Sequence, residues 1–352
     1  MGKTVKVLIV DDQALIRQLL TAILSKDDEI DIVGSAIDPI DARDKIKALN
    51  PDVITLDVEM PRMDGITFLR NLMRLRPMPV VMISTLTEKG AAITLEALEI
   101  GAIDFIPKPK VDVPEQLAEL SADIILKVKQ AAWANIAAIE HNAKQQQFPG
   151  RIKSVPKGEP NAVDIIAIGA STGGTEAIKE VLRTLPDTMP PIVIVQHMPP
   201  GFTTSFAERL DSLLDLTVEE FTKSGQALKR SHIYLANGSQ HMLVKRRGGN
   251  LYGYCDDSAA VNRHKPSVDM LFESVAKHCG EKSIGIILTG MGSDGANGLG
   301  QMRQQGGFTI AQDESTSIVW GMPRMAIEKE AASEVLALGE IGGFLVNRCY
   351  GK

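Results

Sequence analysis

The chain has 352 residues, which at about 150 residues per domain gives room for two domains, each able to bury its own core. Hydrophobic residues at 44%, charged residues at 23% and a mean hydropathy of +0.01 exclude a mostly disordered chain and a membrane-embedded one. A net charge of -6 with a pI near 5.6 argues against nucleic acid or an anionic membrane as the main partner. Aromatics make up only 4%, so the cores must be filled by aliphatic side chains and methionine, as in parallel strands packed between helices. Cys255, Cys279 and Cys349 are widely and irregularly spaced, which suggests neither a disulfide framework nor a zinc site. The apolar run at 5–10 is too short for a signal peptide and ends in two aspartates, and no run reaches the ~20 apolar residues of a span. The expected address is the cytoplasm.

From 5 to about 109, short apolar runs at 5–10, 31–36, 53–57, 79–84 and 102–106 alternate with amphipathic stretches at 14–24, 39–49, 65–75 and 88–100. The rhythm predicts a flavodoxin-like (βα)5 domain with a parallel sheet, placed at 1–125. A helical stretch follows, and the aperiodic, Gln-, Pro- and Gly-rich segment at 145–161 reads as a linker, assigned overall to 126–159. From Val163 a second alternation begins, with apolar runs at 163–169, 191–196, 217–221, 232–236, 283–290 and 308–312. It predicts a doubly wound, mostly parallel α/β domain at 160–352 with a short antiparallel insertion between 232 and 255.

Open parallel sheets bind ligands at the carboxyl ends of their strands. In the first half those ends carry Asp11 and Asp12, Asp57, Ser84 and Lys108. Three carboxylates suit Mg²⁺, which takes oxygen ligands, and the lysine and hydroxyl suit a phosphoryl group held beside it. Helix capping would account for a single Asp or Ser, but not for Lys108 or the aspartate doublet. The sequences VDD at 10, LDVEMPRMDG at 56, Ser84 after an apolar strand and DFIPKP at 104 resemble a two-component receiver domain from end to end. The resemblance implies that Asp57 accepts phosphate, that Asp12, Asp57 and the Glu59 carbonyl hold Mg²⁺ with Asp11 in support, and that Lys108 contacts the phosphoryl group. Ser84 and Phe105 are implied as switch hydroxyl and switch aromatic, standing where many receivers have Thr and Tyr.

In the second half, the run at 163–169 leads into Gly169-Ala170-Ser171-Thr172-Gly173, the run at 191–196 into His197, and the run at 283–290 into a Gly-rich loop with Asp294. A serine hydroxyl needs a base to become a nucleophile, and the base needs a carboxylate to fix its tautomer. GASTG also fits G-x-S-x-G, though the order Ser, His, Asp differs from that of α/β-hydrolases. A dinucleotide loop is disfavoured by the missing G-x-G-x-x-G spacing and acidic ribose ligand. His232 and His241 read as structural, and His141 and His278 as solvated or capping.

The second half, through IGASTGGTEA at 168, VQHMPPGFTTSFAERL at 195, VNRHKPSVDMLF at 261, LTGMGSDGANGL at 288 and WGMPRMA at 320, resembles the CheB family of chemotaxis protein-glutamate methylesterases. A receiver before such a domain is that family's arrangement. The resemblance implies Ser171 as nucleophile, His197 as base, Asp294 as its orienting carboxylate, Met291 and Thr172 as oxyanion donors, and His264 as lining the substrate groove; Ser293 replaces an expected Asn. It implies a phosphorylation-activated esterase that hydrolyses glutamate γ-methyl esters, and deamidates glutamines, on the cytoplasmic helices of chemoreceptors, releasing methanol through a serine acyl-enzyme. The histidine kinase CheA is the implied phosphodonor, and Mg²⁺ serves the receiver while the esterase chemistry needs no cofactor. The unphosphorylated receiver is expected to cover the esterase site. A non-catalytic, receiver-controlled binding module is the alternative; nucleic acid and direct membrane insertion are not expected.

Overall fold

The computed structural model describes residues 4–60, 63–85, 87–108, 114–139 and 162–351. It divides into two compact units, residues 1–139 and 140–352. His141 and the linker segment at 145–161 lie outside the described residues.

In the first unit, strands β1 (Val5–Val10), β2 (Ile30–Ala36), β3 (Val53–Asp57), β4 (Val80–Ser84) and β5 (Asp104–Pro107) alternate with helices α1 (Ala14–Leu24), α2 (Pro39–Leu49), α3 (Gly65–Leu75), α4 (Glu88–Ile100) and α5 (Pro114–Ala132). The sheet order is β2-β1-β3-β4-β5 and every pairing is parallel. Strands covered by helices on both faces must be apolar on both, and β3 and β4 are buried at every position. Side chains start three helices: Asp38 accepts from the Ile40 and Asp41 amides, Asp64 from Thr67 and Thr87 from Gly90, filling donors that a helix N-terminus leaves open. The chain leaves β1 toward β2 and crosses back to β3, so the sheet reverses direction between β1 and β3. The loops carrying Asp11, Asp12 and Asp57 therefore flank the crevice.

The second unit holds a seven-stranded sheet in the order β15-β14-β13-β6-β7-β10-β8, parallel throughout. Its strands are β6 (Ile165–Ala170), β7 (Ile192–Gln196), β8 (Thr217–Phe221), β10 (His232–Ala236), β13 (Ser283–Ile287), β14 (Phe308–Gln312) and β15 (Glu334–Leu336). Helices α6 (Gly174–Leu182), α7 (Phe202–Leu213), α8 (Val268–Cys279), α9 (Ala296–Gln304), α10 (Met322–Glu328) and α11 (Leu338–Cys349) complete the unit. A small antiparallel sheet of β9 (Gln226–Ala227), β11 (His241–Arg247) and β12 (Asn250–Asp256) packs beside it, in the order β11-β12-β9. Here the reversal falls between β6 and β13, the strands that lead into Ser171 and Asp294.

Two sequence boundaries change. Position 125 falls inside α5, whose Val128 and Ala131 are fully buried, so the first unit keeps the whole helix rather than releasing it as linker. The antiparallel insertion is not one stretch from 232: it takes β9 before that position and β11 and β12 after it, while β10 lies inside the parallel sheet between β7 and β8. A five-residue apolar strand looks the same in either sheet.

No helix among the described residues is long and apolar enough to cross a membrane. All three cysteines are free, and burial pushes the Cys279 thiol up to about 11 and Cys349 to about 12, so both are inert at neutral pH.

Candidate active site

At the crevice of the first sheet, one carboxylate oxygen from each of Asp11, Asp12 and Asp57 lies within 4.8 Å of the others. Asp11 and Asp57 are fully buried, whereas Asp12 is exposed. Lys108 Nζ donates to Asp57 Oδ2 at 2.8 Å and lies 4.0 Å from Asp11 Oδ2. The Glu59 amide donates to Asp57 Oδ1 at 3.3 Å, and the Gln13 amide to Asp11 Oδ1 at 2.8 Å. Burial raises Asp11, against the Gln13 hydrogen bond and the Lys108 charge. Burial likewise pushes Asp57 up to about 6, with the Asp11 charge adding and the Lys108 hydrogen bond opposing. Asp11 Oδ2 is buried without a hydrogen-bond partner. An unsatisfied carboxylate oxygen amid excess negative charge suits a hard, oxygen-seeking divalent cation.

The two switch candidates both point inward. Thr94 Oγ1 donates to Ser84 Oγ at 2.7 Å, and Ser84 Oγ lies 3.3 Å from the Gly90 carbonyl oxygen. Phe105 is 3% exposed, and the Lys127 ammonium lies 5.1 Å from its ring centroid while donating to the Phe105 carbonyl at 2.8 Å.

In the second unit the register Ala170↔Gln196 places Ser171 and His197 side by side at the ends of β6 and β7. The His197 amide donates to the Ala170 carbonyl at 3.1 Å and the Ser171 amide to the Thr289 carbonyl at 3.0 Å. Gln196 Nε2 donates to the Ser171 carbonyl at 2.9 Å, and the Gly174 amide to the same oxygen at 2.7 Å. The turn after Ser171 admits only glycine at 174: a Cβ there would meet Gln196 Oε1 at 2.1 Å and the Ala170 methyl at 2.6 Å.

Asp294, 1% exposed, accepts from His197 Nε2 at 2.8 Å and the Val268 amide at 2.7 Å on Oδ2. Its Oδ1 accepts from Ser267 Oγ at 2.8 Å, Asn262 Nδ2 at 2.9 Å and the Asp269 amide at 3.3 Å. Burial would raise this carboxyl, but the bond and charge of His197, then Asn262 and the Val268 amide, hold it far below the ordinary range. An ionised carboxylate only accepts, so His197 carries its proton on Nε2 and a neutral ring keeps its lone pair on Nδ1. Nδ1 is buried and has no hydrogen-bond partner.

The remaining sequence candidates fall around this pair. The peptide before Met291 is pinned by the Gly290 carbonyl, which accepts from the Gly321 and Met322 amides at 3.0 and 2.7 Å. Gly290 presses on Ser171: a Cβ there would lie 2.7 Å from Ser171 Cβ. Thr172 is buried, and its carbonyl accepts from Thr289 Oγ1 at 3.0 Å. The His264 ring stacks on that of His197. His241 is a buried structural residue, with Nδ1 accepting from the Ser267 amide. Sequence reasoning missed Asn262, Ser267 and Gln196 as partners of the site; the polar run at 261–267 was the one available signal.

Fold and site together define a response regulator, a receiver on the same chain as an α/β effector domain with a Ser–His–Asp rim. The CheB methylesterase model matches residues 166–345 and the response regulator receiver domain model residues 7–120. The chain is 50% identical over 345 residues to a protein-glutamate methylesterase/protein-glutamine glutaminase 2 of Vibrio vulnificus, covering 98% of each. It is 51% identical over 337 residues to the protein-glutamate methylesterase/protein-glutamine glutaminase of Salmonella typhimurium, covering 96% of this chain and 95% of that one. The crystal structure of the Thermotoga maritima CheB methylesterase catalytic domain matches with a TM-score of 0.51 at 40% identity, over 53% of this chain and 98% of that one. The chain belongs to the CheB methylesterase family.

Proposed function

We propose that the chain is a phosphorylation-activated protein-glutamate methylesterase and protein-glutamine glutaminase acting on chemoreceptor helices in the cytoplasm. The observation that carries the chemistry is the 2.8 Å pair of His197 Nε2 and Asp294 Oδ2, which leaves Nδ1 as the basic nitrogen beside the strand end bearing Ser171. Ser171 Oγ attacks the γ-carbonyl carbon while His197 Nδ1 takes the hydroxyl proton. The oxyanion forms against the Met291 amide and Thr172, and the imidazolium is stabilised by Asp294. As the tetrahedral carbon collapses, His197 returns the proton to the leaving methoxide, releasing methanol, or to the departing amine, releasing ammonia. Water activated by His197 then hydrolyses the acyl-enzyme to free glutamate.

In the receiver, Asp57 accepts the phosphoryl group from a two-component phosphodonor, the histidine kinase CheA. Asp11, Asp12, Asp57 and the Glu59 carbonyl would hold Mg²⁺, which when bound would supply positive charge against the phosphoryl group. Lys108 binds one of the phosphoryl oxygens, Ser84 turns from Thr94 toward another, and Phe105 repacks.

The test is methanol release from methyl-labelled receptor membranes. Ser171→Ala should abolish it, and retained release would overturn the mechanism. Asp57→Asn should keep basal release and lose stimulation by a small phosphodonor with Mg²⁺.

A further inference from the structure

The geometry points to His264 as a positioning residue that aims His197, an assignment that rests on the reading of His197 as the base. The two imidazoles lie face to face with ring centroids 3.7 Å apart and planes 9° apart. The His197 ring is tethered through one nitrogen, Nε2 to Asp294 Oδ2, while Nδ1 has no hydrogen-bond partner. Between its Cβ and that one hydrogen bond the ring can still tilt, and each tilt changes where Nδ1 points. A second ring laid flat against it blocks the tilt without consuming the lone pair that must accept the proton. A base misplaced by about 1 Å loses on the order of a hundredfold in rate, so this constraint matters to turnover.

The backbone around His264 is built for the task. Residues 261–264 form a tight turn in which the Val261 amide donates to the His264 carbonyl at 3.1 Å and the His264 amide to the Val261 carbonyl at 2.8 Å. Its two central residues, Asn262 and Arg263, both have left-handed φ, 52° and 68°, the φ signs of a type I′ turn, which side-chain-bearing residues adopt at a cost. Asn262 offsets that cost by bridging two buried carboxylates, Asp269 Oδ2 at 2.8 Å and Asp294 Oδ1 at 2.9 Å. One short segment thereby fixes the carboxylate through Asn262 and the imidazole plane through His264.

The test uses the full-length protein with methyl-labelled receptor membranes, and ring NMR of His197. His264→Ala should lower kcat by roughly tenfold to a hundredfold with KM little changed, and His264→Phe, which keeps a flat face, should recover most of the rate. In the wild type the His197 ring protons should be shifted upfield by the neighbouring ring, and this shift should be lost in His264→Ala while the Nε2–H tautomer set by Asp294 is kept. His264→Leu, which fills the volume without a flat face, should behave like His264→Ala and replaces it if that variant unfolds. An alanine variant as fast as wild type, a phenylalanine variant as slow as alanine, or a rise in KM with kcat intact would overturn the assignment. Should the wild type itself release no methanol through Ser171, the hydrolase reading fails, while the NMR arm still decides whether His264 orders the His197 ring.

Discussion

Lys108 Nζ reaches Asp57 Oδ2 at 2.8 Å, yet this ion pair does not bring the Asp57 carboxyl down to its ordinary value. Burial, with the Asp11 charge adding, outweighs the lysine and leaves Asp57 at about 6 against an ordinary 3.8. Between those two values the folded protein holds a proton that the unfolded chain releases. The stability this group contributes is complete below 3.8 and is lost as the pH rises through 6. At neutral pH without metal, Asp57→Asn should therefore raise the melting temperature of the receiver transition by a few degrees. The gain should shrink in acid, where wild-type Asp57 is protonated, and on adding Mg²⁺, which relieves the crowded carboxylates. Calorimetry with and without chelator checks this, and a variant less stable than wild type in chelator at neutral pH would contradict it.

In the proposed switch the Ser84 hydroxyl must leave Thr94 before it can reach a phosphoryl group on Asp57. Breaking their 2.7 Å bond costs about 1 kcal/mol net, roughly a fivefold bias toward the resting arrangement. Thr94→Val keeps the shape and removes that bias. Half-maximal stimulation of methanol release should then occur at about one-fifth of the phosphodonor concentration. An unshifted dose-response curve would show that Thr94 does not restrain the switch.

What was legible in the sequence was local. Asp57, Ser171 and His197 could be placed because each stands at or just past the end of an apolar run, and a parallel sheet brings such positions to one edge. The surroundings of Asp294 were not legible in the same way. Its partners Asn262, Ser267 and Asp269 come from 25 to 32 residues upstream, and Asn262 reaches it only because the backbone turns through left-handed φ at a residue with no glycine to signal it. The His264–His197 stack has the same origin, since neither side chain marks its partner by spacing. Sheet membership was hidden as well: β10 and β11 both read as short strands, and the hydrogen bonds that put β10 beside β7 are long-range. The domain end at 125 was placed too early because buried and exposed residues mix along α5.

Asp294 accepts five hydrogen bonds, two on Oδ2 and three on Oδ1, and is held far below the ordinary carboxylate range. Because the folded value is depressed, the stability this group contributes is present above about pH 4 and is lost as the pH falls below that. It stays ionised wherever the enzyme works and adds no inflection to the activity profile between pH 5 and 8. Asp294→Asn would aim an amide N–H at groups that are themselves donors and reverse the tautomer that His197 needs. It should lower kcat by about 10⁴ and destabilise the second unit near neutral pH more than in strong acid. Single-turnover kinetics and thermal melts across pH test both parts; near-normal turnover by the Asn variant would remove Asp294 from the mechanism.

Gly290 stands where the loop proposed to hold the oxyanion meets Ser171, the proposed nucleophile. A methyl group at this position would lie 2.7 Å from Ser171 Cβ, 3.0 Å from the Ser171 amide nitrogen and 2.5 Å from the Met322 sulfur. The methionine can move, whereas Ser171 sits on a backbone fixed by Thr289, Gln196 and Gly174. Relief in Gly290→Ala must therefore come from separating Ser171 from the Met291 peptide, the two parts that the proposed mechanism sets on either side of one carbonyl carbon. A shift of this kind should cost on the order of a hundredfold or more in kcat while phosphodonor-dependent labelling of Asp57 stays unchanged, because the receiver is a separate unit. Measuring both on one preparation separates a local displacement from unfolding. Wild-type methanol release by this variant would mean that the Met291 amide does not act on the oxyanion formed at Ser171.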